Sequence, residues 1–236
     1  MRDRGMELFL VGGYVRDQLL GVAPPSKDKD YLVVGCESYC QLVGRLLIQG
    51  YKIGQLYEEK FTVRAITPDT KEWCDFVWAR KDGEYINGEM INCSPGSFED
   101  DILRRDYTLN AVAMNEKGEI IDIVGGVNDI NSRLLRCVGD PVTRFREDPR
   151  RITRGIRFIV QFDLYPVRSV RDSWGDPSVV LQLANPKYQE KVKEELNKAF
   201  AINTLKTLEV LREFSQIEDV VFNNLSLNIQ LTNKKL

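Results

Sequence analysis

Residues 8–34 read LFLVGGYVRDQLLGVAPPSKDKDYLVV, and this stretch decides the fold. The apolar run Leu8-Phe9-Leu10-Val11 predicts a strand that ends at Gly12-Gly13. A short amphipathic helix follows, carrying Arg16 and Asp17, closed by Leu19-Leu20 and stopped by Gly21. A polar loop leads to Asp28-Lys29-Asp30 and a second strand, Tyr31 to Val34. A diglycine between a strand and a helix N-terminus lets backbone N–H groups approach a phosphate with no β-carbon in the way. Carboxylates at i and i+2 of a strand point to one face. Two same-facing carboxylates beside a phosphate site suit a pair of Mg²⁺ ions and point to metal-dependent phosphoryl or nucleotidyl transfer. The plain alternative is a strand-turn-helix with a solvated Asp pair.

Composition narrows the chemistry. The 236 residues contain no His, which removes Ser-His-Asp, Cys-His and His-metal sites and leaves carboxylates, Lys, Arg, Tyr, Ser or metals to act. Cys36, Cys40, Cys74, Cys93 and Cys137 lack paired CxxC spacing and are read as reduced thiols in a cytoplasmic protein. No apolar run is long enough for a bilayer and no signal-peptide pattern opens the chain, so no membrane partner is expected. Net charge is −2, but its distribution is uneven. Arg133 to Arg171 holds ten Arg and no Lys, opposed only by Asp140, Glu147, Asp148 and Asp163. Arg without Lys favours planar, bidentate recognition of triphosphate or RNA over a merely solvated face.

Working outward, Glu37 to Gln49 predicts a helix packed on a sheet through Leu42, Leu46 and Leu47, ended by Gly50. Tyr51–Tyr57, Phe61–Ile66 and Glu72–Val77 predict strands, the last two joined by a turn at Pro68-Asp69-Thr70. Asp75 lies among aromatics on a strand expected to be central. A carboxylate there is costly unless paired or metal-bound, so it is a candidate third acid of the Asp28/Asp30 site. Arg80 to Pro95 reads as a mobile polar loop able to cover a substrate. Ser97 opens a helix with Glu99, Asp100 and Asp101 in its first turn. A hairpin is expected around Asn115-Glu116-Lys117-Gly118, then a short helix after Gly125-Gly126. Glu147 to Phe158 looks helical, putting Asp148, Arg151 and Arg154 on one face. Such a carboxylate–guanidinium pair suits a nucleobase edge; an intrahelical salt bridge is the alternative. Helices are expected over Pro186–Ala201 and Asn203–Glu213, the second buried through Leu205, Leu208 and Leu211. The Asn-rich tail from Asn223 is expected to be partly disordered. The one domain boundary falls near Asp140, giving units 1–139 and 140–236.

Gly12-Gly13-x-Val15-Arg16-Asp17, Asp28-x-Asp30, Arg104-Arg105-Asp106-Tyr107-Thr108-x-Asn110-Ala111 and Glu147-Asp148-x-x-Arg151, in this order, resemble the class II tRNA nucleotidyltransferase (CCA-adding enzyme) and bacterial poly(A) polymerase family over roughly residues 7–215. The resemblance implies an α+β fold: a polymerase-β-like nucleotidyltransferase head, a mixed sheet with flanking helices, followed by a helical neck. It implies Asp28 and Asp30 as ligands of two Mg²⁺ ions, with Asp75 as the third catalytic carboxylate. It assigns Gly12, Gly13 and Arg16 to the triphosphate, with added charge from Arg154 and Arg157. Arg105, Asp106 and Asn110 would bind the ribose, and Asp148 and Arg151 would read the base of ATP or CTP. The 80–95 loop corresponds to the family's flexible loop.

The implied activity is addition of CMP and AMP to the tRNA 3′ end. Alternatives within the family are poly(A) addition, C-only or A-only addition, and regulatory tailing of tRNA; a non-catalytic RNA- or nucleotide-binding module is the alternative outside it. Family members usually continue into body and tail domains that grip tRNA. This chain therefore reads as a compact form, or one whose RNA grip comes from a homo-oligomer or a partner subunit, or one whose substrate is small. Arg150 stands where the family usually has an apolar residue, and Ser169 to Gln182 reads as less regular than a neck.

Overall fold

The computed structural model describes residues 5–22, 29–86, 89–225 and 227. Asp28 and most of the tail from residue 226 lie outside these residues. Contacts divide the chain into two compact units, Met1–Glu84 with Met90–Ile130, and Tyr85–Glu89 with Asn131–Leu236. Among the described residues no helix is long and apolar enough to cross a membrane.

The first unit is built on one mixed sheet. β1 (Glu7–Val11) leads through Gly12 into α1 (Gly13–Leu20), and β2 (Lys29–Val34) follows. α1 stops at Gly21, whose left-handed backbone (φ 70°) lets its N–H reach the carbonyls of Asp17 and Gln18. α2 (Tyr39–Ile48) starts at Ser38, whose side chain accepts from the Gln41 N–H. β3 (Lys52–Tyr57), β4 (Thr62–Ile66) and β5 (Trp73–Trp78) complete the strand run foreseen from alternation. With β10 (Ala113–Asn115) and β11 (Ile120–Ile121), the strand order is β11-β10-β1-β2-β5-β4-β3. Only β2 and β5 pair in parallel; the other neighbours are antiparallel. The crossover through α2, β3 and β4 puts β5 between β2 and β4, so Asp75 does lie on an interior strand.

α2 covers the sheet with Tyr39, Leu42 and Leu46, which pack with Val33, Val63, Ala65, Phe76 and Trp78. Leu47 departs from expectation: it is 55% exposed. A helix face wide enough for Leu42 and Leu46 turns away from the sheet one residue later.

The 80–95 segment also differs from an irregular loop. β6 (Arg80–Lys81) pairs antiparallel with β9 (Ser94–Pro95). β7 (Glu84–Ile86) pairs with β8 (Glu89–Ile91). Gly83 permits the approach: a β-carbon there would lie 2.2 Å from the Ile91 carbonyl oxygen. α3 (Phe98–Leu103) begins with the expected Ser97 cap, reinforced by the reciprocal bond that Asp100 accepts from the Ser97 N–H. α4 (Gly126–Asn131) follows the hairpin. It sits so close to the Thr108 turn that a β-carbon on Gly126 would lie 2.2 Å from the Thr108 carbonyl oxygen.

The second unit is helical. A small parallel pair, β12 (Leu134–Leu135) with β13 (Tyr165–Pro166), accompanies α5 (Pro141–Glu147), α6 (Arg150–Phe162), α7 (Arg168–Trp174), α8 (Pro177–Val180), α9 (Pro186–Ile202), α10 (Thr204–Glu213) and α11 (Ser215–Asn224). Buried Ile152, Ile156, Val192, Leu196 and Phe200 occupy the α6 and α9 faces, and Phe145, Trp174 and Phe214 form an aromatic run. On α10 the buried face carries Thr204, Thr207, Val210 and Leu211. Leu205, expected inside, is 55% exposed. The 169–182 stretch holds two short helices, α7 and α8, separated at Gly175-Asp176, and runs into a 3-10 turn at Leu181–Ala184.

The largest departure is at Asp148. The expected continuous helix from Glu147 to Phe158 is broken there: Asp148 is extended (φ −146°, ψ 97°), and α6 starts at Arg150. The cause is Pro149, whose ring crowds an α-helical conformation at the preceding residue. Asp148 therefore stands at a helix–helix break and does not share a helical face with Arg151 and Arg154.

Candidate active site

In the first unit the expected residues gather around the end of β1. Val11 pairs with Asp30, and Asp30 pairs with Asp75 on the neighbouring parallel strand. In-register residues on adjacent strands face the same side of a sheet, so these carboxylates share one face. Arg64 on β4 approaches Asp75 at 3.9 Å.

Gly12 closes the site. Its backbone (φ 73°, ψ −138°) is in a region essentially restricted to glycine. A β-carbon there would lie 3.1 Å from Asp30 Oδ2 and 3.9 Å from an Arg105 guanidinium nitrogen. One turn thus lies beside both Asp30 and Arg105. Gly13 is the first residue of α1, whose N-terminus has no side-chain cap and no acidic residue in its first turn. Its amides and dipole suit an anion. Gly12→Ala is expected to cost about 1–3 kcal/mol of stability through backbone strain alone and to lower activity further by crowding Asp30. Urea unfolding beside a turnover assay checks both.

Arg16 and Asn110 form a second cluster. Arg16, 7% exposed, donates from Nε and Nη2 to Asp17 Oδ1 at 2.8 and 2.7 Å and from Nη1 to Asn110 Oδ1 at 2.8 Å. Asn110 Nδ2 donates to Asp106 Oδ1 at 3.4 Å, and the same oxygen accepts from the Tyr107 N–H at 2.8 Å. Arg16, expected at a triphosphate, is thereby tied to the 106–110 turn, and its contacts orient Asn110.

Two residues that sequence reasoning did not single out hold this turn. Asp101, fully buried, accepts from Arg104 Nε and Nη2 at 2.8 and 2.6 Å and from Arg105 Nη2 at 2.9 Å. Asp129 accepts from the buried Thr108 hydroxyl at 2.7 Å. The i+3 and i+4 spacing of Arg104 and Arg105 from Asp101 was the available signal; in sequence it was outweighed by the look of an acidic first turn.

In the second unit, Asp148 and Arg151 are held by different partners. Arg150 forks onto Asp148, with Nε to Oδ1 at 2.7 Å and Nη2 to Oδ2 at 2.9 Å. Arg151 Nη1 donates to the Arg144 carbonyl at 2.9 Å and to Glu147 Oε2 at 3.0 Å. Its guanidinium carbon lies 5.9 Å from the centroid of the Tyr85 ring, from the tip of the 80–95 segment. Arg154 is exposed.

Arg157, expected to add charge near phosphates, donates to Glu195 on α9 at 2.6 Å and to Gln161 at 2.9 Å. Burial pushes the Glu195 carboxyl up, but the hydrogen bond and charge of Arg157, with Arg154 and Lys198, outweigh it and hold it below its ordinary 4.5. A carboxyl depressed by folding adds stability above its unfolded pKa and loses that contribution as pH falls through the folded value. Glu195→Gln is therefore expected to cost about 1–2 kcal/mol at neutral pH, and its gap from the parent should close as pH falls below 4.5. Urea unfolding at neutral and acid pH measures both.

None of the five cysteines forms a disulfide. Burial pushes the Cys74 thiol up to about 11, which leaves it protonated at neutral pH.

Residues 8–136, more than half of the chain, match the Poly A polymerase head domain family. The chain belongs to that family. Curated relatives include the Multifunctional CCA protein of Actinobacillus pleuropneumoniae, 42% identical over 161 residues (66% of this chain, 35% of the relative). That of Acinetobacter baumannii is 39% identical over 164 residues (68% and 36%). The chain thus spans about a third of the length of these relatives. Among solved structures, the Bacillus stearothermophilus CCA-adding enzyme in complex with CTP aligns with a TM-score of 0.74 at 27% identity, covering 89% of this chain and 48% of that one. A tRNA nucleotidyltransferase complexed with a primer tRNA and an incoming ATP analog aligns at 0.72 and 26%, covering 92% and 60%. The α+β fold of this poly(A) polymerase-type chain, a nucleotidyltransferase head with a helical region after it, is that of the CCA-adding enzymes.

Proposed function

We propose that this chain is a Mg²⁺-dependent, template-independent RNA nucleotidyltransferase that adds CMP and AMP to the 3′ end of tRNA in the cytoplasm. The observation that carries this reading is the in-register pair Asp30 and Asp75 beside the Gly12 turn, with Arg105 at the same turn. The relatives named as CCA proteins and the neighbours solved with CTP, an ATP analog and tRNA support the substrate class.

The donor set fits a hard divalent cation. It consists of carboxylate oxygens, and Gly12 leaves open the space a β-carbon would fill at 3.1 Å from Asp30 Oδ2. Among the described residues no three acidic, Cys or His side chains form a metal cluster. Asp28, outside those residues, is the carboxylate expected to join Asp30. Bound Mg²⁺ would lower the pKa of the RNA 3′-hydroxyl and neutralise charge on the triphosphate.

The chain's own residues do the rest. The Gly12-Gly13 amides and the N-terminus of α1 receive the triphosphate. Arg105, fixed by Asp101, adds positive charge at that turn, and Asp106 and Asn110, oriented by Arg16, meet the ribose hydroxyls. Asp148 accepts from the exocyclic amine of cytosine or adenine, and Arg151 donates to the adjacent ring nitrogen. The RNA 3′-oxygen bonds to the α-phosphorus as the bond to pyrophosphate breaks.

The test is 3′-end sequencing of tRNA lacking CCA, and of an unstructured RNA, after incubation with the protein, Mg²⁺, CTP and ATP. A defined CCA end on the tRNA alone is expected. Long A tails on both RNAs would replace this reading with poly(A) addition, C-only or A-only products with a partial role, and no extension would contradict catalysis.

A further inference from the structure

The candidate base reader Asp148 is held by its neighbour Arg150. Its carboxylate oxygens offer about four lone-pair sites. Arg150 occupies three: its backbone N–H at 3.0 Å and Nε at 2.7 Å both donate to Oδ1, and Nη2 donates to Oδ2 at 2.9 Å. Oδ1 is saturated, and Oδ2 keeps one acceptor position. The hold is local and stiff. Pro149 forces Asp148 into an extended conformation, and Arg150 is the first residue of α6. The Arg150 guanidinium also lies 6.0 Å from the centroid of the Tyr188 ring on α9, which supports it from the other side. The Asp148 side chain is 16% exposed and that of Arg150 is 38% exposed, so the pair is partly shielded from solvent yet open on one side. Glu147 and the Arg144 carbonyl do the equivalent work for Arg151.

We propose that Arg150 is a specificity-determining positioning residue: by filling three of the four acceptor sites of Asp148, it leaves a single acceptor on Oδ2 to meet a nucleobase. This rests on the reading of Asp148 as a base contact. One acceptor beside the donors of Arg151 matches an amine next to a ring nitrogen, the pattern cytosine and adenine share. It mismatches guanine and uracil, which present a carbonyl beside a ring N–H. Freed from the fork, the carboxylate can rotate, regain its other acceptor sites and take a ring N–H of guanine or uracil. It can also turn toward Arg151. Both changes blur selection.

The experiment is steady-state incorporation of each of the four NTPs onto a tRNA primer by the parent, Arg150→Met, Arg150→Lys and Asp148→Asn, with thermal midpoints alongside. For Arg150→Met, KM for CTP and ATP is expected to rise about tenfold, the size of one lost charge-assisted contact. kcat should stay within about threefold and GTP and UTP should gain relative to CTP and ATP. Arg150→Lys keeps the charge but cannot bridge both oxygens, so it should not restore selectivity. A general packing defect would lower the midpoint and kcat together without changing the ratio among NTPs. Parent-like KM and selectivity in Arg150→Met, or full rescue by Lys, while Asp148→Asn alters selectivity, would overturn the inference alone. Unchanged selectivity in Asp148→Asn would overturn the base-contact reading and the inference with it.

Discussion

Asp30→Asn is expected to lower nucleotide addition by about a thousandfold or more, the scale on which loss of a metal-binding or charge-stabilising group acts, without loss of fold. Asp30 faces Asp75 in register, and like charges directly opposite each other on paired strands destabilise a sheet. Removing one charge should leave thermal stability unchanged or raise it by up to about 1 kcal/mol. Functional sites keep such local conflicts because catalysis needs them. Product formation on a tRNA primer and a thermal melt in the same buffer separate the outcomes. A large loss of stability would make Asp30 a structural residue, and near-normal turnover would remove it from the site.

Asp101→Ala is expected to have the largest effect on folding. Asp101 is fully buried and carries both Arg104 and Arg105. Removing it leaves two guanidiniums, each less than a fifth exposed, without their common acceptor. Breaking a buried pair of this kind costs about 3–5 kcal/mol. Arg105 also lies beside the Gly12 turn, so NTP affinity should fall in whatever protein remains folded. Asp101→Asn keeps one acceptor oxygen and should lose less. Equilibrium urea unfolding measures the difference, and a cost below about 1 kcal/mol would mean the ion pairs are dispensable.

The parts of the fold read correctly from sequence were those set by local rules. The strand ending at Gly12-Gly13, the left-handed stop at Gly21, the Ser97 cap and the alternating strands through residue 78 follow from backbone sterics, capping and period. The central place of Asp75 was legible because a carboxylate among aromatics needs a reason to be there. The misreadings were tertiary or steric. Leu47 and Leu205 fit a helical period but fall past the edge of the face that meets a neighbour. Asp148 was placed on a helix because its spacing to Arg151 is helical, yet Pro149 decides the conformation of the residue before it. The Arg157–Glu195 bond to α9 was not legible because the two residues lie far apart in sequence. Asp101 was read as helix-dipole chemistry because its burial is invisible until α3 packs.

The most direct measurement is release of pyrophosphate from CTP in the presence of Mg²⁺ and tRNA lacking CCA, set against the same tRNA ending in a 3′-deoxynucleotide. The account predicts release matched to chain extension with the 3′-hydroxyl primer and none with the 3′-deoxy primer. Equal release from both, or none from either, would contradict transfer of a nucleotide to an RNA 3′-hydroxyl.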